Sequence, residues 1–352
     1  MISYPSLNLR LTLSLLALAA CSESTDPTPP RTAGDLSSET PSFALARNGW
    51  TNRARLPGSD IIPRGGLAAG VVNDAAGQPI LYAFGGFFED HTHGTILAYD
   101  YSRNAWTTKG SSLELSYSNG VGKIGGKLYI SGGYLGGREG FCCDATQRTL
   151  YAYDPRADRL IRKADMPRQT AEGVTGVING KLYVLSGTCV DDEPPVFDCD
   201  VESNRRLLYR YDPATNTWTT LGPAPHSHAR GAAGVINGRF YVAGGGNRRL
   251  DVYDPTTNTW KARADMPEAR SGAGTVLQNQ LYVIGGVGSS GNRAVFAYDP
   301  VTNTWKTRAS LNVGRSSLAA ASMVTIYGNP KILAVGGFDG SERPGANELY
   351  TP

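Results

Sequence analysis

A tyrosine followed seven residues later by a tryptophan recurs along this chain and constrains its fold more than any other feature. The complete pairs are Tyr99 and Trp106, Tyr211 and Trp218, Tyr253 and Trp260, and Tyr298 and Trp305. In a fifth unit, Leu160 replaces the tryptophan after Tyr153. Tyr350 lacks a tryptophan after it, and Trp50 lacks a tyrosine before it. Units recurring every 40 to 60 residues, roughly, with partners split between the two ends, predict a ring rather than an open solenoid.

Each unit also carries the signals of four short strands. A small apolar segment such as Gly231–Ile236 precedes a two-residue turn, here Asn237-Gly238, which is a strong hairpin signal because both turn positions need positive φ. An alternating strand then ends in a glycine pair, as at Gly85-Gly86, where we expect close backbone approach. The unit ends with a hairpin, Tyr253–Trp260, in which Asn258 suits a left-handed turn.

These signals predict an all-β, six-bladed β-propeller with four strands per blade. We expect the segment Trp50–Leu56 to supply the outer strand of the last blade and so to close the ring. The tyrosines and tryptophans are expected to pack between neighbouring blades, since aromatic pairs bury a large apolar area in a glycine-rich chain.

The glycine pair, the Tyr-Asp-Pro sequence and the tryptophan seven residues after the tyrosine resemble the kelch repeat. The resemblance extends from Trp50 to Pro352. It implies a kelch-type propeller, but it leaves the function open, because kelch propellers include enzymes, adaptors and binding scaffolds.

The N-terminal region predicts export and lipid attachment. The apolar stretch Leu11–Ala20 is too short to span a bilayer, and Leu18-Ala19-Ala20-Cys21 resembles a bacterial lipoprotein signal. The resemblance implies acylation of Cys21 and a location in the cell envelope, on the outer membrane in a Gram-negative organism; an ordinary cleaved signal peptide is the alternative. We therefore divide the chain into a signal segment (1–21), a flexible tether (22–48) rich in Ser, Thr and Pro, and a propeller (49–352). An extra strand or cap is the alternative to the tether.

The net charge and the cysteines indicate which kinds of partner and cross-link to expect. A net charge of +3 without a polybasic segment implies no nucleic-acid partner, and we expect a monomer without a cofactor. Besides Cys21, the cysteines are Cys142, Cys143, Cys189 and Cys199, in predicted loops of blades two and three. In an exported chain they indicate disulfides, and we favour bridges between the two loops. A four-thiolate zinc site is the competing interpretation.

Five blades offer an arginine near the start of the inner strand, and blade two has Tyr117-Ser118 instead. The arginines are Arg64, Arg168, Arg230, Arg270 and Arg315. If they converge on one mouth of the propeller, they could bind a carboxylate, a phosphate or an acidic sugar through bidentate hydrogen bonds. We expect Arg230 and Arg270, each preceded by alanine, to be oriented alike. The alternative is that arginine in this position ties loops together.

Other candidate sites are weaker. The histidine pairs His91/His93 and His226/His228 are interpreted as exposed loop residues rather than metal ligands, because blades one and four lie opposite each other. The acidic stretch Asp191–Glu202 matches no calcium-binding loop and is interpreted as solvated. We therefore predict no metal site.

Two functions remain open. The first is a lipid-anchored scaffold that binds a protein or an acidic ligand through one loop-rich face. The second is an enzyme resembling periplasmic kelch sialic-acid mutarotases, in which the arginines would hold the sugar carboxylate and Glu172 or Glu268 would act as acid or base.

Overall fold

The computed structural model describes residues 48–57, 64–88, 91–92, 94–113, 115–135, 145–189, 202–339 and 345–352. The chain divides into two units, Met1–Ala44 and Leu45–Pro352, and every described residue belongs to the second. The signal segment with Cys21 and nearly all of the tether lie outside the described residues. Among the residues that the structure describes, no helix is long and apolar enough to cross a membrane.

Six four-stranded antiparallel sheets form the blades. Blade one contains β2 (Ala68–Asn73), β3 (Pro79–Phe84), β6 (Thr95–Asp100) and β7 (Ala105–Ser112). Blade two contains β8 (Val121–Ile124), β9 (Lys127–Ser131), β12 (Leu150–Asp154) and β13 (Arg159–Arg162). Blade three contains β14 (Val174–Ile178), β15 (Lys181–Leu185), β16 (Leu208–Asp212) and β17 (Thr217–Leu221). Blade four contains β18 (Gly231–Ile236), β19 (Arg239–Gly244), β20 (Leu250–Asp254) and β21 (Thr259–Ala262).

Blade five contains β22 (Arg270–Leu277), β23 (Gln280–Gly288), β24 (Val295–Asp299) and β25 (Thr304–Thr307), and blade six contains β26 (Ala319–Val324), β27 (Pro330–Val335), β28 (Asn347–Thr351) and β1 (Gly49–Asn52). Two short hairpins lie in loops, β4 (Phe87–Phe88) with β5 (His91–Thr92) and β10 (Tyr134–Leu135) with β11 (Ala145–Thr146), and a 3-10 helix spans Asn204–Arg206. The predicted six blades of four strands are confirmed.

The first strand closes the ring, as predicted. Strand β1 pairs antiparallel with β28 and sets Trp50 opposite Tyr350. Their rings lie 5.2 Å apart, and the Trp50 indole donates to the carbonyl of Ala309 in blade five at 2.8 Å. The tryptophan missing after Tyr350 is therefore supplied from the other end of the chain.

In the five blades that have a Tyr–Trp pair, the pair holds the blade against the preceding one. In blade one, the Tyr99 hydroxyl donates to Asn104 Oδ1 at 2.7 Å, and the same oxygen accepts from the Ala54 amide at 2.9 Å. Trp106 completes the clamp by donating to the Ala54 carbonyl at 2.8 Å. Asn104 has a φ of 52°, the left-handed conformation expected for this turn. The predicted packing of aromatic residues between blades is thus confirmed, with direct hydrogen bonds added to it.

The glycine pairs lie where neighbouring backbones nearly touch. A Cβ on Gly85 would lie 1.7 Å from the Leu115 carbonyl oxygen of the next blade, and one on Gly286 would lie 1.6 Å from the Ser271 oxygen. Both glycines have positive φ. A side chain at either position would therefore separate the backbones, which explains the repeated pair.

A channel of about 1350 Å³ runs between the six inner strands. Small residues line it because the inner strands pack edge to edge around the axis; a Cβ on Gly122 would lie 2.2 Å from Leu182, and one on Gly234 would lie 2.3 Å from Val276. Five larger or polar side chains at one end, Tyr117, Glu172, Arg230, Ser271 and Ser317, form what we call the channel mouth.

Candidate site at the channel mouth

A ring of backbone hydrogen bonds frames most of the channel mouth. Its members are Gly66, Tyr117, Glu172, Arg230 and Ser317, each just before an inner strand and each with a φ between 46° and 66°. The amides of four of them donate to the ring residue of the preceding blade, as Tyr117 does to Gly66 at 2.8 Å and Arg230 does to Glu172 at 2.7 Å, whereas Ser317 takes part as the acceptor of the Gly66 amide. Four of these residues are not glycine, so the left-handed backbone is strained there and is maintained by these bonds.

Blade five interrupts this ring. Its inner strand β22 begins directly at Arg270 and has a bulge between Ser271 and Ala273, while β23 extends to Gly288. Among the described residues, no backbone hydrogen bond at this level joins blade five to the ring residues Arg230 or Ser317. The exposed side chain of Val287 borders the gap.

One side of the channel mouth is charged and polar. Glu172 is almost fully buried, and its Oε1 lies 2.6 Å from a terminal guanidinium nitrogen of Arg230, whose side chain is 64% exposed. Glu172 Oε2 accepts from Thr188 at 3.1 Å, and Thr188 also hydrogen-bonds the Tyr134 hydroxyl at 2.8 Å. The neighbouring carboxylate raises the pKa of Arg230, so this guanidinium stays charged.

Tyr117 of the channel mouth belongs to an aromatic cluster. Phe87 packs between Tyr117 and Phe338, with ring centroids 5.0 Å and 5.3 Å away, and Tyr117 meets Tyr134 edge-on at 6.2 Å. Phe87, Tyr134 and Phe338 each follow a glycine pair, which explains why they reach the same level of three different blades. The channel mouth therefore combines an exposed cation, a buried carboxylate and the aromatic ring of Tyr117, which belongs to a cluster of four aromatic residues.

The five predicted arginines do not share one environment. Arg230 is the one that lines the channel. Arg168 is exposed beside Tyr209 and Cys189, away from the channel. Arg64 Nη1 is buried without a hydrogen-bond partner among the described residues, and burial lowers the pKa of this side chain.

Arg270 and Arg315 are fully buried and tie loops together. Arg270 donates to Glu268, to the carbonyls of Gly285 and Gly291 and to Ser290. Arg315 pairs with buried Glu348 and donates to the Ala334 carbonyl at 2.9 Å. The structure thus separates Arg230 from Arg270, which we expected to be oriented alike. The Glu268 carboxylate is also taken up by contacts within the protein. Burial alone would raise its pKa, but hydrogen bonds from serine hydroxyls and from Arg270 outweigh this effect and lower the pKa to about 2.

The second histidine pair does not form the exposed loop that we expected. His228 is fully buried, and its Nε2 lies 3.0 Å from Asp251 Oδ2; His226, partly exposed, places Nδ1 2.8 Å from the same oxygen. Asp251 is fully buried in β20. The side chains of His91 and His93 and residues 191–201 of the acidic stretch lie outside the described residues, and Glu202 at its end is exposed.

Comparisons with known proteins agree with the repeat pattern. The Kelch motif family model matches residues 228–267 and 270–312, in blades four and five. Kelch-like protein 38 of Rattus norvegicus is 31% identical over 185 residues, which are 51% of this chain and 27% of that protein. Kelch-like protein 23 of Homo sapiens is 26% identical over 211 residues, 59% of this chain and 35% of that protein. Blades four and five therefore carry the kelch motif, and the similar proteins are kelch-like proteins.

The chain spans about a quarter to a third of the length of these curated kelch relatives. A solved structure titled "Structure of YjhT" superposes on the kelch propeller with a TM-score of 0.66, covering 85% of this chain and 97% of that one. Its sequence identity is 18%, so the likeness shows the fold alone.

Sequence reasoning missed several residues of this kelch propeller. Asn48, which we placed at the end of the tether, accepts a hydrogen bond from Tyr350 and has the left-handed φ of the other hairpin asparagines. Its position two residues before Trp50 matches Asn104 before Trp106 and was a usable signal. Asp251 was another, because a carboxylate interrupts an otherwise apolar strand. Nothing in the sequence marked Thr188 or Ser317.

The predicted disulfides are partly visible. Cys189 is buried and disulfide-bonded. Cys142, Cys143 and Cys199 lie outside the described residues, so the connectivity stays a prediction.

Proposed function

We propose that this kelch propeller is a lipid-anchored, extracytoplasmic binding scaffold whose ligand site is the channel mouth. The observation that carries the proposal is the exposed Arg230 guanidinium, which is positioned by buried Glu172 and lines the same channel mouth as the aromatic ring of Tyr117. A scaffold role agrees with the kelch family, and the lipid anchor is inferred from the sequence around Cys21.

The channel mouth favours a ligand that combines a carboxylate with an apolar face. Arg230 carries five N–H donors in a planar fork, and its partner among the described residues is Glu172, so donors remain for a second carboxylate. Bidentate recognition of this kind is strong and directional. The Tyr117 ring supplies an aromatic surface within the same opening. Acidic sugars and carboxylate-bearing segments of a partner protein both have this combination.

The interrupted ring at blade five gives such a ligand room. Ser271 and Val287 border a sector that lacks the inter-blade hydrogen bond found between the other ring residues. A ligand held by Arg230 would contact this neighbouring sector, where a polar hydroxyl and an apolar side chain are both accessible.

Binding can be tested with N-acetylneuraminic acid and with a pool of acidic peptides by saturation-transfer NMR. Arg230→Lys keeps the charge beside Glu172 but removes the planar fork, so we expect at least about tenfold weaker binding. Arg168→Lys is the matched control, because Arg168 is an exposed arginine away from the channel, and it should bind normally. Equal binding by the wild type and both variants would contradict the proposed site.

An acidic-sugar mutarotase is the second candidate, favoured by one observation. The Glu172 carboxylate lies beside the Arg230 guanidinium, so a group able to transfer protons is close to a group able to hold the sugar carboxylate. The anomers of freshly dissolved N-acetylneuraminic acid can be followed by proton NMR with and without the protein. Acceleration that Glu172→Gln abolishes would support this function, and an unchanged rate with the wild type would exclude it for this sugar.

A further inference from the structure

Two neighbouring kelch blades use the same buried position for a positive charge. Arg270 follows Met266 by four residues and Arg315 follows Leu311 by four, and both guanidinium groups are buried. In blade four the equivalent residue, four after Ala224, is His228, which is also fully buried. The anionic partners also occupy equivalent positions in the two blades, because Glu348 lies two residues before Tyr350 and Asp251 lies two residues before Tyr253. Blade four therefore has a histidine–aspartate pair where blade six has an arginine–glutamate pair.

The hydrogen bonds of His228 do not explain why its Nε2 atom lies against the negatively charged carboxylate of Asp251. Its Nδ1 lies 2.9 Å from the Gly244 carbonyl oxygen. A carbonyl can only accept, so Nδ1 carries the proton. In a neutral imidazole, Nε2 then has a lone pair, and that lone pair lies 3.0 Å from the Asp251 carboxylate. Two electron-rich atoms in contact need a cation between them, which the Arg315 guanidinium provides in blade six.

A second imidazole converges on the same carboxylate. His226 Nδ1 lies 2.8 Å from Asp251 Oδ2, and the candidate ligand atoms of His226, His228 and Asp251 all lie within 4.8 Å of one another. Asp251 is fully buried, and its other carboxylate oxygen, Oδ1, has no hydrogen-bond partner among the described residues. A buried carboxylate oxygen of this kind is costly unless a cation or a donor meets it.

We propose that His226, His228 and Asp251 bind a divalent transition-metal ion, for which Zn²⁺ is the best match. Two imidazole nitrogens and one carboxylate oxygen are preferred zinc ligands, and three protein ligands leave a position for water. The hydrogen bond from His228 Nδ1–H to the Gly244 carbonyl is the arrangement that fixes the tautomer of metal-binding histidines. The His226 side chain is 39% exposed, so an ion can reach the site from solvent.

The competing occupant is a proton, which would make His228 a buried imidazolium paired with Asp251. The two occupants differ in what they do to Nε2, because a metal ion removes the proton from this atom whereas the ion pair requires it. The two occupants also differ in the role of His226. A metal ion would be bound by His226, whereas the ion pair between His228 and Asp251 does not require it.

The test uses the mature protein with its disulfides oxidised, so that thiolates do not compete for metal. Titration with Zn²⁺ against a chromophoric chelator should show one tight site, and Co²⁺ should give a visible absorption band when it replaces Zn²⁺. His226→Ala should weaken Zn²⁺ binding by at least about tenfold, since even the loss of a group that only orients a ligand costs this much. Its partly exposed side chain makes this variant compatible with the fold, which circular dichroism will verify.

Two further variants make the result specific. Asp251→Asn keeps the shape of the side chain but removes the anionic ligand, so Zn²⁺ binding should be lost with it. The double variant His91→Ala/His93→Ala removes the other histidine pair and should bind Zn²⁺ like the wild type. The proposal is overturned if the wild type does not bind Zn²⁺, if His226→Ala binds it equally well, or if nitrogen NMR at saturating Zn²⁺ shows both ring nitrogens of His228 protonated.

Discussion

The Tyr350 hydroxyl donates a hydrogen bond to Asn48 Oδ1 at 2.8 Å, joining two residues that are 302 positions apart. Asn48 has a φ of 60° and stands in the place that Asn104, Asn216, Asn258 and Asn303 occupy in other blades. The sixth Tyr–Asn–Trp cluster is therefore complete, although its parts come from the two ends of the propeller. The strength of this junction can be measured directly.

Trp50→Ala should strongly destabilise the propeller. The substitution removes a buried indole, its contact with Tyr350 and its hydrogen bond to Ala309, so we expect a loss of about 3–5 kcal/mol in the free energy of unfolding. Urea unfolding followed by fluorescence measures it. Tyr327→Ala, at an aromatic residue that is 83% exposed, is the control and should change stability by less than about 0.5 kcal/mol.

A chain starting at Pro57 should melt at a lower temperature or aggregate, and unchanged melting would contradict closure by β1.

Arg270→Ala should be far more destabilising than loss of a surface arginine. Arg270 is fully buried, and its removal leaves the Glu268 carboxylate and several loop carbonyls without their donor, so we expect a loss of about 3–5 kcal/mol. Arg249→Ala is the matched control, because the Arg249–Asp265 pair is largely exposed and should contribute under about 1 kcal/mol. Thermal melting of both variants checks the prediction, and similar melting temperatures would refute the structural role of Arg270.

Stability should fall in acid partly because of Glu268. Its pKa is lowered from 4.5 to about 2 in the folded protein, so its contribution is present above about pH 4.5 and is lost as the pH falls towards 2. Glu268→Gln should make the melting temperature less dependent on pH within this window. The variant should also be less stable at neutral pH, where Arg270 loses its charged partner. A variant with the pH profile of the wild type would show that Glu268 is not linked to folding.

The disulfide of Cys189 should contribute to stability. Cys189→Ala should lower the free energy of unfolding by about 2–4 kcal/mol under oxidising conditions. Reductant should lower the stability of the wild type to that of the variant and leave the variant nearly unchanged. Mass mapping without reduction should link Cys189 to Cys142 or Cys143, as expected for bridges between the two loops. A free thiol at Cys189 would contradict this prediction.

Lipid attachment at Cys21 has its own test. Cys21→Ser should release the protein from the membrane fraction or stall its processing, because serine cannot form the thioether to the lipid. Fractionation of cells followed by intact-mass measurement distinguishes these outcomes from an ordinary cleaved signal peptide. Membrane association and mature mass that both match the wild type would show that Cys21 is not the attachment site.

The fold could be predicted because its signals are periodic and local. The Tyr–Trp spacing and the glycine pairs each fix one hairpin or one close approach, and six repetitions leave few alternatives to a propeller. The displaced Trp50 even indicated how the ring closes.

The candidate site could not be predicted in the same way because it depends on the exact number of residues in each connection between blades. Ala229-Arg230 and Ala269-Arg270 look alike, but Arg230 lies six residues after buried Ala224 and Arg270 only four after buried Met266. Two additional residues move the arginine from a buried loop contact to the channel mouth. The left-handed backbone of Glu172 and Arg230 is likewise set by inter-blade hydrogen bonds, which carry no sequence signal.

The pairing of β1 with β28 also sets the order in which the protein can be completed. Strand β1 leaves the ribosome before any blade exists, yet its partner is made some 300 residues later. Until then blade six lacks both of its outer strands, and the open edge of blade one has no neighbour to meet. Five blades can assemble as they are synthesised, whereas the ring waits for a contact of very long sequence separation. Strand β1 and the open sheet edges must therefore not pair with other strands before synthesis is finished. We expect chaperones that bind unfolded chains to matter most for this protein at that stage.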